Sequence, residues 1–409
     1  MRAAGALAGD VLAAAPGLVR DTHRAISGRV FGALGPAADP VRVMHDGIAG
    51  AVYGSLRLAS AAAPRIAVRA AEGVSVVGGP VLPSSRLGRM AHGAVNGMWG
   101  DRLAERHPAL ALSMCLRVDG CDVPALPSEI RAAYAGATGR IVVFVHGWCD
   151  NAESWQRHAL QRNDRVGEPI ATVDYGTALQ RDLGYAPVYV RYNTGLHISD
   201  NGRALAELMQ SLHANWPVPV ETIALVGHSM GGLVARSACH AGVSQTWTRD
   251  VRHVICLGSP HLGAPLEKGV NALAWALARV PETQGLARLI NLRSRGVKDL
   301  RYGSCAELDW QGVDPDEFLR DRCTEVPFLP NATYCFVGAT VSAAPGSVVG
   351  RLVGDVLVLW PSAAGRGRRR QIPFAPDRGQ HLGGMHHLEL LNSPRAYPLL
   401  RDWLDEAAE

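Results

Sequence analysis

The chain has 409 residues and a mass of 43.5 kDa, more than one ordinary domain of about 100–200 residues, so one large domain with an appendage, or two domains, is expected. Apolar residues make up 47% and charged residues 19%, a balance that excludes disordered and collagen-like chains. The net charge of +4 carries no nucleic-acid signature. No uncharged apolar run reaches the roughly 18–20 residues of a spanning helix.

The basic charge is almost wholly arginine, since Lys268 and Lys298 are the only lysines. Met1–Val19 is alanine-rich, but Asp10 breaks its apolar run and no clear cleavage site follows. This argues against a secretory signal and for a cytoplasmic location. Proline breaks at Pro36, Pro40, Pro64, Pro80 and Pro83 punctuate the first hundred residues. Between them, Val43–Ala70 places Val52, Leu56, Leu58 and Ile66 at helical spacing. Residues 1–105 therefore read as a helical extension packed on the main domain. The alternative is a membrane-surface element giving peripheral membrane contact, because arginines and apolar residues occur together. Eight cysteines are scattered without a CxxC. In a chain of this size they read as buried thiols, and a Cys305–Cys323 or Cys115–Cys121 bridge stays open for an exported protein.

From about Ala109 strands and helices alternate. Leu112–Val118 reads as a strand, and Ile141–Val145 is a continuous apolar run of the kind buried on both faces. Val188–Tyr192 follows. Ser199 suits an N-cap, with Leu205, Leu208, Met209, Leu212 and Trp216 on one helix face. Thr222–Val226, Val251–Leu257 and Tyr334–Val337 read as strands, and Met230–His240 as a helix. Such alternation implies a mostly parallel central sheet flanked by helices.

Gly227-His228-Ser229-Met230-Gly231 is a G-x-S-x-G between an apolar strand and a helix, the context in which the serine stands on a sharp turn as a nucleophile. Only small residues fit two positions either side, and the helix N-terminus favours developing negative charge. His146-Gly147-Trp148 follows the buried strand. The backbone N–H groups of Trp148 and Met230 are assigned to an oxyanion hole. His146 reads as a histidine ordering its loop rather than as the base.

The sequence here resembles the α/β-hydrolase superfamily, within it the lipase and esterase branch. The resemblance is carried by HGW at 146–148, by GHSMGG at 227–232 and by Gly258-Ser259-Pro260-His261-Leu262-Gly263-Ala264-Pro265. That last segment is similar to a turn of triacylglycerol lipases and of the GPI inositol-deacylase-like group. The likeness spans roughly Ala109 to Leu404. It implies the α/β-hydrolase fold over residues 106–409, with a helical cap insertion at about 265–330 and the helical N-terminal extension before it.

It also implies a triad in the order serine, acid, histidine. Gly354-Asp355-Val356-Leu357-Val358-Leu359 is similar to the family's acid loop. Asp355 is therefore the acid, although Val356 and Leu359 depart from the usual small residue and proline; Asp377 and Asp299 are the reserves. Gly384-Met385-His386-His387-Leu388 resembles the segment bearing the base, which points to His387, with His386 as rival. His381 in the same loop is expected to face solvent.

Ser229, His387 and Asp355 would hydrolyse a carboxylic ester through an acyl-enzyme, with no metal or organic cofactor and an acyl-ester or lipid-like substrate. A transacylase or thioesterase would use the same triad, and a non-catalytic binding protein is the remaining alternative. In the insertion, Val270, Leu273, Ala274, Leu277 and Ala278 form one apolar face, and Leu286, Leu289, Ile290 and Leu292 another. A cap over Ser229 would make them an acyl pocket. Trp148, Trp155, Trp275 and Trp360 are candidates for its wall. Arg366–Arg370 would be a solvated turn or hold an anionic headgroup.

Overall fold

The computed structural model describes residues 86–156, 160–162, 171–279 and 283–406, together with scattered helical positions between 20 and 50. The chain divides into Met1–Val95 and Asn96–Glu409. The helix Arg86–Arg106 crosses that division and also the boundary expected at 105. Most of Val43–Ala70 lies outside the described residues.

Among the described residues ten strands are formed: β1 Cys115–Val118, β2 Cys121–Val123, β3 Arg140–Val145, β4 Leu160–Arg162, β5 Ala171–Val173, β6 Ala186–Arg191, β7 Thr222–His228, β8 Val251–Leu257, β9 Thr333–Thr340 and β10 Gly379–Gly383. Eight of them make one sheet in the order β10-β9-β8-β7-β3-β6-β1-β2. From β6 to β10 every neighbouring pair is parallel, whereas β1 runs antiparallel to both β6 and β2. β4 and β5 form a separate antiparallel pair.

The middle of the central strands, Ile141–Val145, Ile223–Val226 and Val254–Leu257, is apolar because both faces are covered. One layer of core joins Val143, Val145, Leu225 and Val254 to Leu205, Met209 and Leu233. The opposite layer joins Val142, Phe144, Val226 and Ile255 to Tyr175, Leu390 and Trp403. Neighbouring residues of one strand thus serve opposite cores, as the twofold alternation of side chains requires. Among the described residues no helix is long and apolar enough to cross a membrane.

The helix Ile198–Asn215 buries Leu205, Leu208, Met209 and Leu212 as its spacing requires. Its cap differs from expectation. His197 is the N-cap, and the amide of Ile198 donates to Asp299 Oδ2 at 2.8 Å. A carboxylate from the insertion replaces the local cap, and Ser199 instead accepts the Trp310 indole N–H. None of the eight cysteines is in a disulfide, so neither candidate bridge forms.

His253 in β8 is buried, and its Nδ1 has no hydrogen-bond partner among the described residues. Burial pushes its imidazole from 6.5 down to about 4, Glu406 opposing and Arg378, Arg252 and Arg140 assisting. Below pH 6.5 the unfolded chain binds a proton that the folded chain refuses. Stability therefore falls as pH drops from about 6.5 to 4, by about 3 kcal/mol from this group. Urea unfolding of His253→Gln across that range should show a correspondingly flatter acid limb.

Candidate active site

β7 ends at His228 and the helix Met230–Ala241 begins one residue later, so Ser229 alone makes the turn. Its φ of 54° and ψ of −122° are unusual for a residue with a Cβ, and such strain is typical of functional sites. The turn closes only because its flanks are bare. A Cβ on Gly227 would overlap Gly231 and Gly232, and one on Gly231 would overlap the Val145 carbonyl. The Ser229 amide donates to Leu257 O at 2.8 Å. Its hydroxyl makes no hydrogen bond among the described residues, and the residue is only partly buried.

Asp355 and His387 are brought together. His387 Nδ1 donates to Asp355 Oδ2 at 2.7 Å, and the His387 amide donates to Asp355 O at 3.0 Å. The other carboxylate oxygen accepts the amides of Leu357 at 3.0 Å and Val358 at 2.7 Å. Both carboxyl oxygens of Asp355 are therefore occupied, and the residue is 1% exposed. The acid loop forms despite Val356, which takes φ 90° beside Gly354 at φ 63°. With Nδ1 committed to Asp355, His387 Nε2 is buried and has no partner among the described residues. The ring lies at the end of β8 and beside His228: a Cβ on Gly258 would lie 3.1 Å from its Nδ1 and Cε1, and the ring of His228, the residue before Ser229, is 4.7 Å away.

His386 points elsewhere. Its amide donates to Glu389 Oε2 at 2.8 Å, and its ring lies 3.5 Å from the same carboxylate. Of the reserve acids, Asp299 pairs with His197 and Asp377 is exposed beside Arg378. His381 is partly buried rather than solvent-facing, at 2.8 Å from the Thr340 hydroxyl.

The loop after β3 lies against the serine turn, since a Cβ on Gly147 would stand 3.1 Å from Ser229 Cβ. The amides of Trp148 and Met230 donate to no described group, and Met230 is the first residue of its helix, where N–H groups are left over. His146 orders this loop: its Nδ1 donates to Gly147 O at 2.9 Å, and its ring stacks on Tyr192. His228 went unassigned in the sequence. Its Nε2 donates to His387 O at 3.2 Å, and the two rings lie 4.7 Å apart. The only sequence signal for this was its position next to the nucleophile.

The insertion contains the helices Pro265–Leu277, Gln284–Ile290 and Arg295–Asp299. Its first helix buries Glu267, Asn271 and Ala274, whereas Val270, Leu273 and Leu277 are only partly covered and Ala278 is exposed. Polar pairing decides which face turns inward. Glu267 binds Arg293 and Arg301, and Asn271 binds the backbone at Asp316 and Leu319. Trp155 is a core residue packed on Phe144, not a pocket wall. Trp275 is exposed and stacks on Phe318, and Trp360 packs on Phe336. Arg370 turns inward to the carbonyl of His261, while Arg366, Arg368 and Arg369 are exposed. No group of three or more His, Cys, Asp or Glu among the described residues is arranged to hold a metal ion.

Residues 136–314 match the family model described as PGAP1-like alpha/beta domain. That stretch holds β3, β6, β7, β8 and the serine turn. The eight-stranded, mostly parallel sheet with helices on both faces is an α/β-hydrolase fold. Solved structures similar to this chain include the mature lipase BlEst2 of Bacillus licheniformis, at 19% identity and a TM-score of 0.43, covering 65% of this chain and 91% of that one. Lipase B of Aspergillus fumigatus is similar at 14% identity and a TM-score of 0.41, with 70% and 59% covered. A soluble variant of the monoglyceride lipase of Saccharomyces cerevisiae is similar at 12% and 0.37, with 66% and 87% covered. No curated protein matches the chain.

Proposed function

We propose that this chain is a serine carboxylic-ester hydrolase, an esterase or lipase working through an acyl-enzyme. The observation that supports it best is the Asp355–His387 hydrogen bond, which leaves His387 Nε2 without a partner among the described residues, the ring lying 4.7 Å from that of His228, the residue before the strained Ser229. Ser229 Oγ attacks the ester carbonyl carbon as His387 Nε2 takes its proton. The developing oxyanion accepts from the Trp148 and Met230 amides. Asp355 holds the tautomer and stabilises the imidazolium, which then protonates the leaving alkoxide. Water repeats the sequence on the acyl-enzyme. The substrate is an acyl ester or lipid-like molecule, and the insertion at 265–330 caps the acyl chain.

The test is hydrolysis of p-nitrophenyl esters from acetate to palmitate by the purified chain and by Ser229→Ala. Wild-type turnover with a chain-length optimum is expected, and a loss of about 10⁴-fold or more on Ser229→Ala. A folded wild-type protein inert to every ester and to a fluorophosphonate probe overturns the reading.

A further inference from the structure

The end of the helix Arg86–Arg106 that belongs to the second unit, Asn96–Arg106, meets the loop carrying Trp148 through backbone. The Gly97 carbonyl accepts the Trp148 indole N–H at 2.9 Å and the Ser294 hydroxyl at 2.6 Å. The helix is kinked beside this point, with Trp99 at φ −139° and ψ 17°. Only glycine permits the approach: a Cβ on Gly97 would stand 2.5 Å from Cys149 Sγ and 2.9 Å from its Cα and N. Cys149, the residue after Trp148, is itself held at φ 60°, its amide donating to Thr194 Oγ1 at 3.2 Å. The loop bearing Thr194 is locked to the same helix, Asn193 Nδ2 donating to Gly100 O at 2.9 Å.

We infer that the kinked helix end Asn96–Arg106 is a positioning element of the active site, fixing the Trp148 oxyanion amide through the Gly97 carbonyl. The inference rests on the proposed hydrolase reading. Trp148 is gripped by its side chain and its backbone N–H is thereby aimed; Gly97 itself touches no substrate. The same helix holds the insertion, because Arg102 Nη1 donates to Leu292 O at 2.6 Å and the Arg295 amide to Asp101 Oδ2 at 3.2 Å. One short helix thus fixes the oxyanion loop and part of the insertion together. An amide displaced by about 1 Å costs on the order of 10²-fold in rate, comparable to deleting an oxyanion donor.

The experiment compares the full-length wild type with Trp148→Phe, which keeps the aromatic ring and backbone N–H but removes the indole donor, and with Gly97→Ala. Steady-state ester hydrolysis, the rate of Ser229 modification by a fluorophosphonate, and the urea midpoint are measured on each. Trp148→Phe is expected to lower kcat about 10–100-fold with KM within about twofold, to slow phosphonylation in parallel, and to leave the midpoint unchanged. Gly97→Ala should act in the same direction and more strongly; if it does not fold, Trp148→Phe decides alone. Wild-type kcat in Trp148→Phe overturns the inference while leaving the hydrolase reading intact. So does a change confined to KM, which would make the indole a pocket wall. A wild-type protein that neither hydrolyses esters nor is phosphonylated overturns the hydrolase reading, and the inference with it.

Discussion

His387→Ala is expected to lower kcat about 10⁴–10⁶-fold, and the neighbouring His386→Ala to stay within about threefold of wild type. The contrast follows from geometry. His387 has one ring nitrogen on the buried Asp355 carboxylate and the other without a partner among the described residues, its ring 4.7 Å from that of His228, the residue before Ser229. His386 faces Glu389 on a partly exposed surface, where loss of an ion pair is worth little. Asp355→Asn should fall between the two, at about 10⁴-fold, because an amide cannot enforce the tautomer that leaves Nε2 free to accept. Steady-state kinetics of the three variants on one ester, with circular dichroism to establish folding, is the measurement. Equal losses in His386→Ala and His387→Ala would sink the assignment.

Much of this was readable in the residues because close packing leaves few choices. The turn Gly227–Gly231 is legible because a Cβ at either glycine would enter neighbouring backbone. β3 is legible because its run Ile141–Val145, covered on both faces, is apolar throughout. The cap of the helix Ile198–Asn215 was not legible, since its carboxylate comes from Asp299, about a hundred residues away in sequence. Nor was the inward face of the helix Pro265–Leu277. Hydrophobic spacing favoured its valine and leucines, but Glu267 turns inward to two arginines that lie far along the chain. The part played by Gly97 was hidden for the same reason: its partner Trp148 is 51 positions later.

Glu267→Ala is expected to destabilise the fold by about 3–5 kcal/mol, the usual consequence of leaving a buried charge without its counter-ion. Glu267 is 5% exposed, Arg293 8% and Arg301 6%. Its Oε1 accepts from Arg293 Nη2 at 2.7 Å and from Arg301 Nη2 at 3.1 Å, and its Oε2 from Arg293 Nε at 2.9 Å. Removing the carboxylate strands two guanidinium groups that carbonyls satisfy only in part: Ile290 O for Arg293, Pro315 O for Arg301. Lost packing and lost charge are separable. If unpaired charge is the cause, replacing Glu267, Arg293 and Arg301 together by methionine should restore most of the stability, because a packed apolar trio carries no desolvation penalty. Urea unfolding of the single and triple variants decides between the two. A Glu267→Ala midpoint equal to wild type, or a triple variant less stable than the single one, would show that the insertion is held by its apolar contacts rather than by this ion cluster.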